Sequence, residues 1–101
     1  MKPFVFHPAA DAEFLEALAR HGEESQMLAQ RYYHAIHALV ADACRTPGLF
    51  RCVPQAPEVR RHFGRPFPYA ILYVDEPDRV LILAVAHFKR RPGYWLPRLK
   101  R

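Results

Sequence analysis

The chain runs out of acidic residues before it runs out of length: after Asp78 there is no Asp or Glu among its 101 residues. The shortage is one-sided. Residues 1–50 hold four Lys/Arg and six Asp/Glu, a net −2, whereas residues 51–101 hold eleven and four, a net +7. Such asymmetry points to an anionic partner for the C-terminal half. Apolar runs are also short. None approaches the roughly 20 residues that span a bilayer, so no membrane helix is expected. The opening MKPFVFHPAADAEF has no long apolar core, which argues against a signal peptide and for a cytoplasmic protein. Cysteine is scarce as well. Cys44 and Cys52 do not make a disulfide framework, and their role is not set by the sequence. His34 and His37 have only a weak ligand-like spacing, so neither a metal nor another cofactor is expected.

What is present is globular. Half the residues are hydrophobic and 13% are aromatic, which excludes a disordered chain. The length fits a single domain over residues 1–101 with one modest core.

Periodicity orders the elements. Residues 3–7, PFVFH, read as a short strand, and Pro8 suits the first turn of a helix. Asp11 and Glu13 complement that helix's positive end. Ala10, Phe14, Ala17, Leu18 and His21 recur at helical spacing, with Gly22 as the expected stop. Ser25 is a candidate N-cap for a second helix. Its stripe of Leu28, Tyr32, Ala35, Ile36, Leu39 and Ala43 ends near Arg45, before Thr46-Pro47-Gly48. So short a link makes the two helices an antiparallel hairpin. Prolines 47, 54 and 57 predict a loop over 47–57. Three strands follow, at 58–63, 67–74 and 79–87, with a turn at Asp75-Glu76-Pro77-Asp78. In the first, Val59, Arg61 and Phe63 share one face and Arg60 and His62 the other. The predicted class is α+β in the order β-α-α-β-β-β: a helical hairpin packed on a small antiparallel sheet.

The third strand delivers a dense cluster. Its apolar run VLILAVA passes into His87, Lys89, Arg90 and Arg91, then Pro92-Gly93, then Tyr94 and Trp95. Pro92-Gly93 reverses the chain and the two aromatics pin it. The basic residues between are then held toward a partner, and these six side chains form the candidate target-binding site. Preorganisation of this kind lowers the entropic cost of association. The surface sides of the helices carry Leu15, Met27 and Tyr33, away from the main stripes. These are candidate contacts for a partner that folds on binding.

The opening FHPAADAEFLEAL, the strand PFPYAILY and above all ILAVAHFKRRPGYWLPR resemble the RelE/ParE superfamily of toxins from type II toxin–antitoxin systems, including the plasmid-stabilisation members. The resemblance spans nearly the whole chain. It implies growth inhibition and neutralisation by a cognate acidic antitoxin that carries a ribbon-helix-helix DNA-binding part, in a toxin–antitoxin hetero-oligomer. ParE-like members poison DNA gyrase and are not known as enzymes, whereas RelE-like members cut mRNA on the ribosome. For the endoribonuclease, His87 would move the proton, Arg60 and Arg65 would supply cations and Tyr94 would stack on a base. One residue departs from that pattern: the ribonucleases carry an arginine directly after an aromatic, where Tyr69-Ala70 stands here. The sequence therefore leans toward a binding toxin, with the ribonuclease as the alternative and a degenerate, non-toxic binding module as a third possibility.

Overall fold

The computed structural model describes residues 1–99. In chain order it forms β1 (Phe4–Phe6), α1 (Pro8–Glu24), α2 (Gln26–Arg45), β2 (Arg51–Val53), β3 (Ala56–Phe63), β4 (Tyr69–Asp75), β5 (Val80–His87) and a 3-10 turn at Leu96–Leu99.

Capping explains the helix limits. The His7 ring accepts the Ala9 N–H at 3.0 Å, with Pro8 opening α1. Gly22 does not stop that helix, which continues to Glu24. Ser25 then closes α1 by donating its N–H to the His21 carbonyl and opens α2 by accepting the Leu28 N–H on its hydroxyl. One residue thus serves both ends, and the hairpin is as tight as a chain allows.

The sheet order is β1-β5-β4-β3-β2. β3, β4 and β5 form the expected antiparallel meander, but two features extend it. β1 pairs with β5 in parallel, making the sheet mixed. Within the predicted loop, residues 51–53 form β2, which folds back on β3 through a tight turn at Pro54-Gln55. Pro54 lies just outside the strand, so it removes no ladder hydrogen bond there.

Both sheet faces are covered. Against the helices, Phe14, Tyr32, Ile36 and Leu39 pack on Tyr69, Ile71, Tyr73, Ile82 and Val85. Tyr73 reaches past this core and donates to the Pro47 carbonyl at 2.6 Å; burial pushes its hydroxyl up to about 12. The opposite face collects Val59, Leu72, Leu81, Leu83, Ala84, Ala86 and Trp95. Leu83 and Ala84 share that face because the register slips between β4 and β5: Leu72 faces Ala84 but Tyr73 faces Ile82. A bulge of this kind re-aims the side chains beyond it. It turns Val85 toward the helices and Ala86 away from them.

Candidate functional site

Beyond β5 the chain folds over the sheet face opposite the helices. His87 starts the turn: its carbonyl accepts the Arg90 N–H at 3.0 Å and its Nδ1 accepts the Lys89 N–H at 3.0 Å. Gly93 then adopts a φ of 77°, which L side chains rarely take. A Cβ there would also crowd Leu96 at 3.1 Å and Gln55 at 3.3 Å. The reversal buries Trp95 to 3% exposure among Leu72, Leu83 and the alanines. Between tail and sheet lies a cleft of about 270 Å³. Its floor is low because Ala70 and Ala86 face each other across β4 and β5. Arg61, His87, Arg90, Arg91 and Tyr94 stand around it.

One carboxylate ties this tail to α1. Glu13 accepts hydrogen bonds from Tyr94 Oη at 2.7 Å, from both terminal nitrogens of Arg98 at 3.0 and 2.8 Å, and from the Val85 N–H at 3.0 Å. Arg98 also donates to the Leu83 carbonyl at 3.0 Å. The strand edge accounts for this arrangement. β1 covers β5 only as far as Ile82, whose carbonyl takes the His7 N–H. The next edge groups, Leu83 C=O and Val85 N–H, are satisfied by the Glu13–Arg98 pair instead. Burial pushes the Glu13 carboxyl up, but hydrogen bonds from Arg98, Tyr94 and Val85 outweigh it and hold the group below its ordinary value. Burial and the bond to Glu13 push the Tyr94 hydroxyl up.

Of the six target-binding candidates, five line the cleft: His87, Arg90, Arg91, Tyr94 and Trp95. Trp95 is the buried anchor beneath the other four, and Lys89 is exposed in the turn. Arg90 lies with its guanidinium carbon 3.8 Å from the Tyr94 ring centre and its Nη1 3.8 Å from Glu13 Oε2. The four ribonuclease candidates are not brought together. His87 and Tyr94 border the cleft, but Arg60 points to the helix side, where it donates to the Phe50 carbonyl at 2.7 Å and the Gly48 carbonyl at 3.3 Å. Arg65 borders a separate hollow beside Ala35, Ile36 and Leu39.

Glu13, Phe63 and Phe88 were not singled out from the sequence as site residues. Glu13 reads only as an acid early in α1, because its partners lie 72 to 85 positions away. Arg61 and Phe63 had a signal in the alternation of Glu58 to Phe63, which separates them from Arg60 and His62. His62 indeed lies on the other face, stacked on Phe50 and 2.9 Å from Asp42.

The helical surface presents Leu15, Met27 and Tyr33 at 51%, 69% and 42% exposure. Tyr33 packs edge-on against Phe14 and lies 4.4 Å from the His37 ring. His37 borders an apolar groove between α2 and β1, together with Phe4, Val40 and Cys44. Burial, with His34 nearby, lowers the His37 pKa, and burial raises that of the Cys44 thiol. Among the described residues no cluster of three or more His, Cys, Asp or Glu could hold a metal ion, and no helix is long and apolar enough to cross a membrane.

A helical hairpin on one face of a five-stranded sheet, with a basic tail strapped over the other, defines a small α+β domain of the RelE/ParE type. Residues 4–92 match the family model described as the ParE toxin of the type II toxin–antitoxin system, parDE, and the chain belongs to that family. Among solved structures it is similar to a chain of the chromosomal ParDE toxin–antitoxin system from P. aeruginosa. That likeness has a TM-score of 0.69 at 17% identity and covers 86% of this chain and 96% of the other. Among curated proteins no sequence matches.

Proposed function

We propose that this ParE-family chain is a cytoplasmic toxin that arrests growth by binding a macromolecular target, DNA gyrase, and that a cognate acidic antitoxin neutralises it in a hetero-oligomer. The observation that carries this reading is the composition of the cleft. Arg60 and Arg65 are turned away from it, and Ala70 forms part of its floor. Phosphoryl chemistry needs cations preorganised on the developing charge, and losing one typically costs two to three decades in rate. What remains is a rigid, basic, ring-lined surface suited to binding.

The antitoxin's footprint is expected on the helical hairpin, at Leu15, Met27 and Tyr33, and along the outer edge of β1. A segment that folds on binding can occupy both as helix and strand. Its DNA-binding part would be of the ribbon-helix-helix type. New hydrogen-exchange protection in α1 and α2 on adding the antitoxin checks this footprint. Protection confined to residues 1–7 and the tail would contradict it.

One observation favours the ribonuclease alternative: His87, Arg61, Arg90, Arg91 and Tyr94 all border one cleft. A paired assay decides. The purified chain should inhibit gyrase supercoiling or trap cleaved DNA, and should leave mRNA on programmed ribosomes intact. Codon-dependent cuts that disappear in His87→Ala would reverse the order of the two readings. Harmless high-level expression of the folded chain would leave only a non-toxic binding module.

A further inference from the structure

The sheet ends in two strand edges, and only one of them is guarded. β2, at one edge, carries exposed Arg51 and Cys52, a bulge between Cys52 and Val53, and Pro54 directly after it. Charge, bulges and proline are the usual devices that keep an edge from pairing with another chain. β1, at the other edge, has no charged residue, and its Phe4 and Val5 are 45% and 36% exposed. Its backbone divides by position. The Pro3 carbonyl accepts the Val80 N–H and the His7 N–H donates to the Ile82 carbonyl, so residues 3, 5 and 7 face β5. Phe4 and Phe6 therefore direct their N–H and C=O groups outward, and among the described residues no strand pairs with them. Pro3 belongs to the inward set, so it removes no donor from the outer edge. Beside this edge runs the groove of about 550 Å³ between α2 and β1, lined by Met1, Phe4, His37, Val40 and Cys44.

We infer that the β1 edge joins two copies of this chain, strand to antiparallel strand, about a twofold axis at Val5. Phe4 of each copy exchanges hydrogen bonds with Phe6 of the other, and the two Val5 residues face each other on the axis. The outward groups of β1 are self-complementary in this register and in no other that uses all of them. Charge permits the approach. β1 lies against Val80 to Ile82, the start of β5, whereas the basic cluster begins at His87, its far end. Two chains of net charge +5 thus meet at an uncharged strand. Lys2, beside the groove, is already bound to Asp75 at 2.5 Å and to the Glu76 carbonyl at 2.6 Å. The edge by itself therefore suits an uncharged strand better than an acidic one, and β1 of a second copy is such a strand. The proposed antitoxin, which also covers the hairpin, would displace that copy. The axis stands perpendicular to the sheet, so both helical hairpins lie on one face of a continuous sheet and both tail clefts on the other. A ladder of three residues per strand falls below the roughly 1,200 Å² of stable interfaces, so the pairing is weak and reversible. This inference concerns the chain without its antitoxin and rests on neither reading of the target.

The test is sedimentation of the purified full chain, without antitoxin, from micromolar to near-millimolar concentration. A reversible monomer–dimer equilibrium supports the inference. Val5→Lys and Val5→Glu should each weaken the dimer about tenfold, because like charges then face each other across the axis. Mixing the two variants should restore association, since opposite charges now meet. The register has its own readout. A non-hydrogen-bonded antiparallel pair holds its Cα atoms about 4.5 Å apart, within the range of roughly 4.4–6.8 Å that a disulfide spans. With Cys52→Ser as background, Val5→Cys should therefore join two chains under oxidised glutathione, and the background alone should not. Circular dichroism melting confirms the fold, and the cysteine variant carries the test if the charged variants do not fold. The inference is overturned if the parent stays monomeric throughout the range. A dimer that Val5→Lys leaves intact, or a Val5→Cys chain that does not cross-link, would overturn it too. Gyrase inhibition and antitoxin binding are scored separately, so the readings can fail independently.

Discussion

The two faces of the sheet are built from different materials. Toward the helices, large rings fill the space: Phe14 stacks on Tyr32 at 5.5 Å, His21 on Tyr32 at 4.8 Å, and Tyr32 meets Tyr69 at 5.3 Å. Toward the tail, the sheet offers Ala70, Ala84 and Ala86, and a single buried ring, Trp95, supplied by the tail itself. The first face is closed by two long helices, the second by a strap held through one carboxylate. Close packing and buried area set most of a domain's stability. The helix face therefore carries the fold, and the tail face is left hollow and basic. On the proposed reading, target binding falls on the side of the sheet opposite the face that carries most of the packing.

The comparison can be broken most severely on the helix side. Tyr32→Ala removes a fully buried ring and should cost ~3–5 kcal/mol, a large part of the ~5–15 kcal/mol typical of a domain. Urea melts would show the midpoint collapsing. Trp95→Ala should cost less, about 2–3 kcal/mol, because a detached tail can relax around the loss. Its distinguishing mark is local. Hydrogen exchange should accelerate at Val85, whose N–H depends on Glu13, while amides inside α2 keep most of their protection. Equal loss in both regions would mean that the two faces do not differ as argued.

Glu13→Gln tests the strap alone. Breaking this largely buried pair with Arg98 should cost about 1–3 kcal/mol, less than the cost for a fully buried ion pair. The sign of the pH dependence follows from the lowered carboxyl. The unfolded chain takes up its proton near the ordinary value of 4.5, whereas the folded chain resists protonation until lower pH. The stabilisation is therefore complete above 4.5 and is lost as the pH falls from there through the folded value. The stability gap between parent and variant should shrink over that window. A gap independent of pH would show that Glu13 acts through shape and not charge.

Much of this division was legible beforehand, and the reasons are physical. Ser25 and the α2 stripe are local signals, and they place the hairpin. The alternation of Val59, Arg61 and Phe63 against Arg60 and His62 assigns β3's two faces, because side chains on a strand alternate strictly. Pro92-Gly93 followed by two aromatics announces the reversal and its anchor. The unread parts are non-local. The parallel pairing of β1 with β5 has no periodic signature, and β2 is three residues hidden among prolines. The β5 bulge exchanges the faces of Ala84 and Val85 without any mark in an apolar run. Arg60 and Arg65 looked available as cations until the loop carbonyls and the flank of α2 claimed their neighbourhoods.

The smallest expected effect on the fold separates Arg90 from Arg91. Arg90 leans inward on the Tyr94 ring, with Glu13 at 3.8 Å. A contact of this kind is worth about 0.5–1 kcal/mol at an exposed site, so Arg90→Ala should lower stability by about that amount. Arg91 is exposed at the cleft and takes part in none of the ion pairs among the described residues. Arg91→Ala should leave the melting curve within about 0.5 kcal/mol of the parent, as surface changes usually do. Its effect belongs on binding. Losing a well-formed charge-assisted contact costs roughly 1.5–3 kcal/mol, tenfold or more in affinity. The double change to Ala should then abolish growth arrest in cells while the protein remains folded. If the double mutant stays toxic but escapes the antitoxin, the pair faces the antitoxin and not the target. If it stays both toxic and neutralisable, the cluster is a solvated tail, and the hollow face of the sheet has some other use.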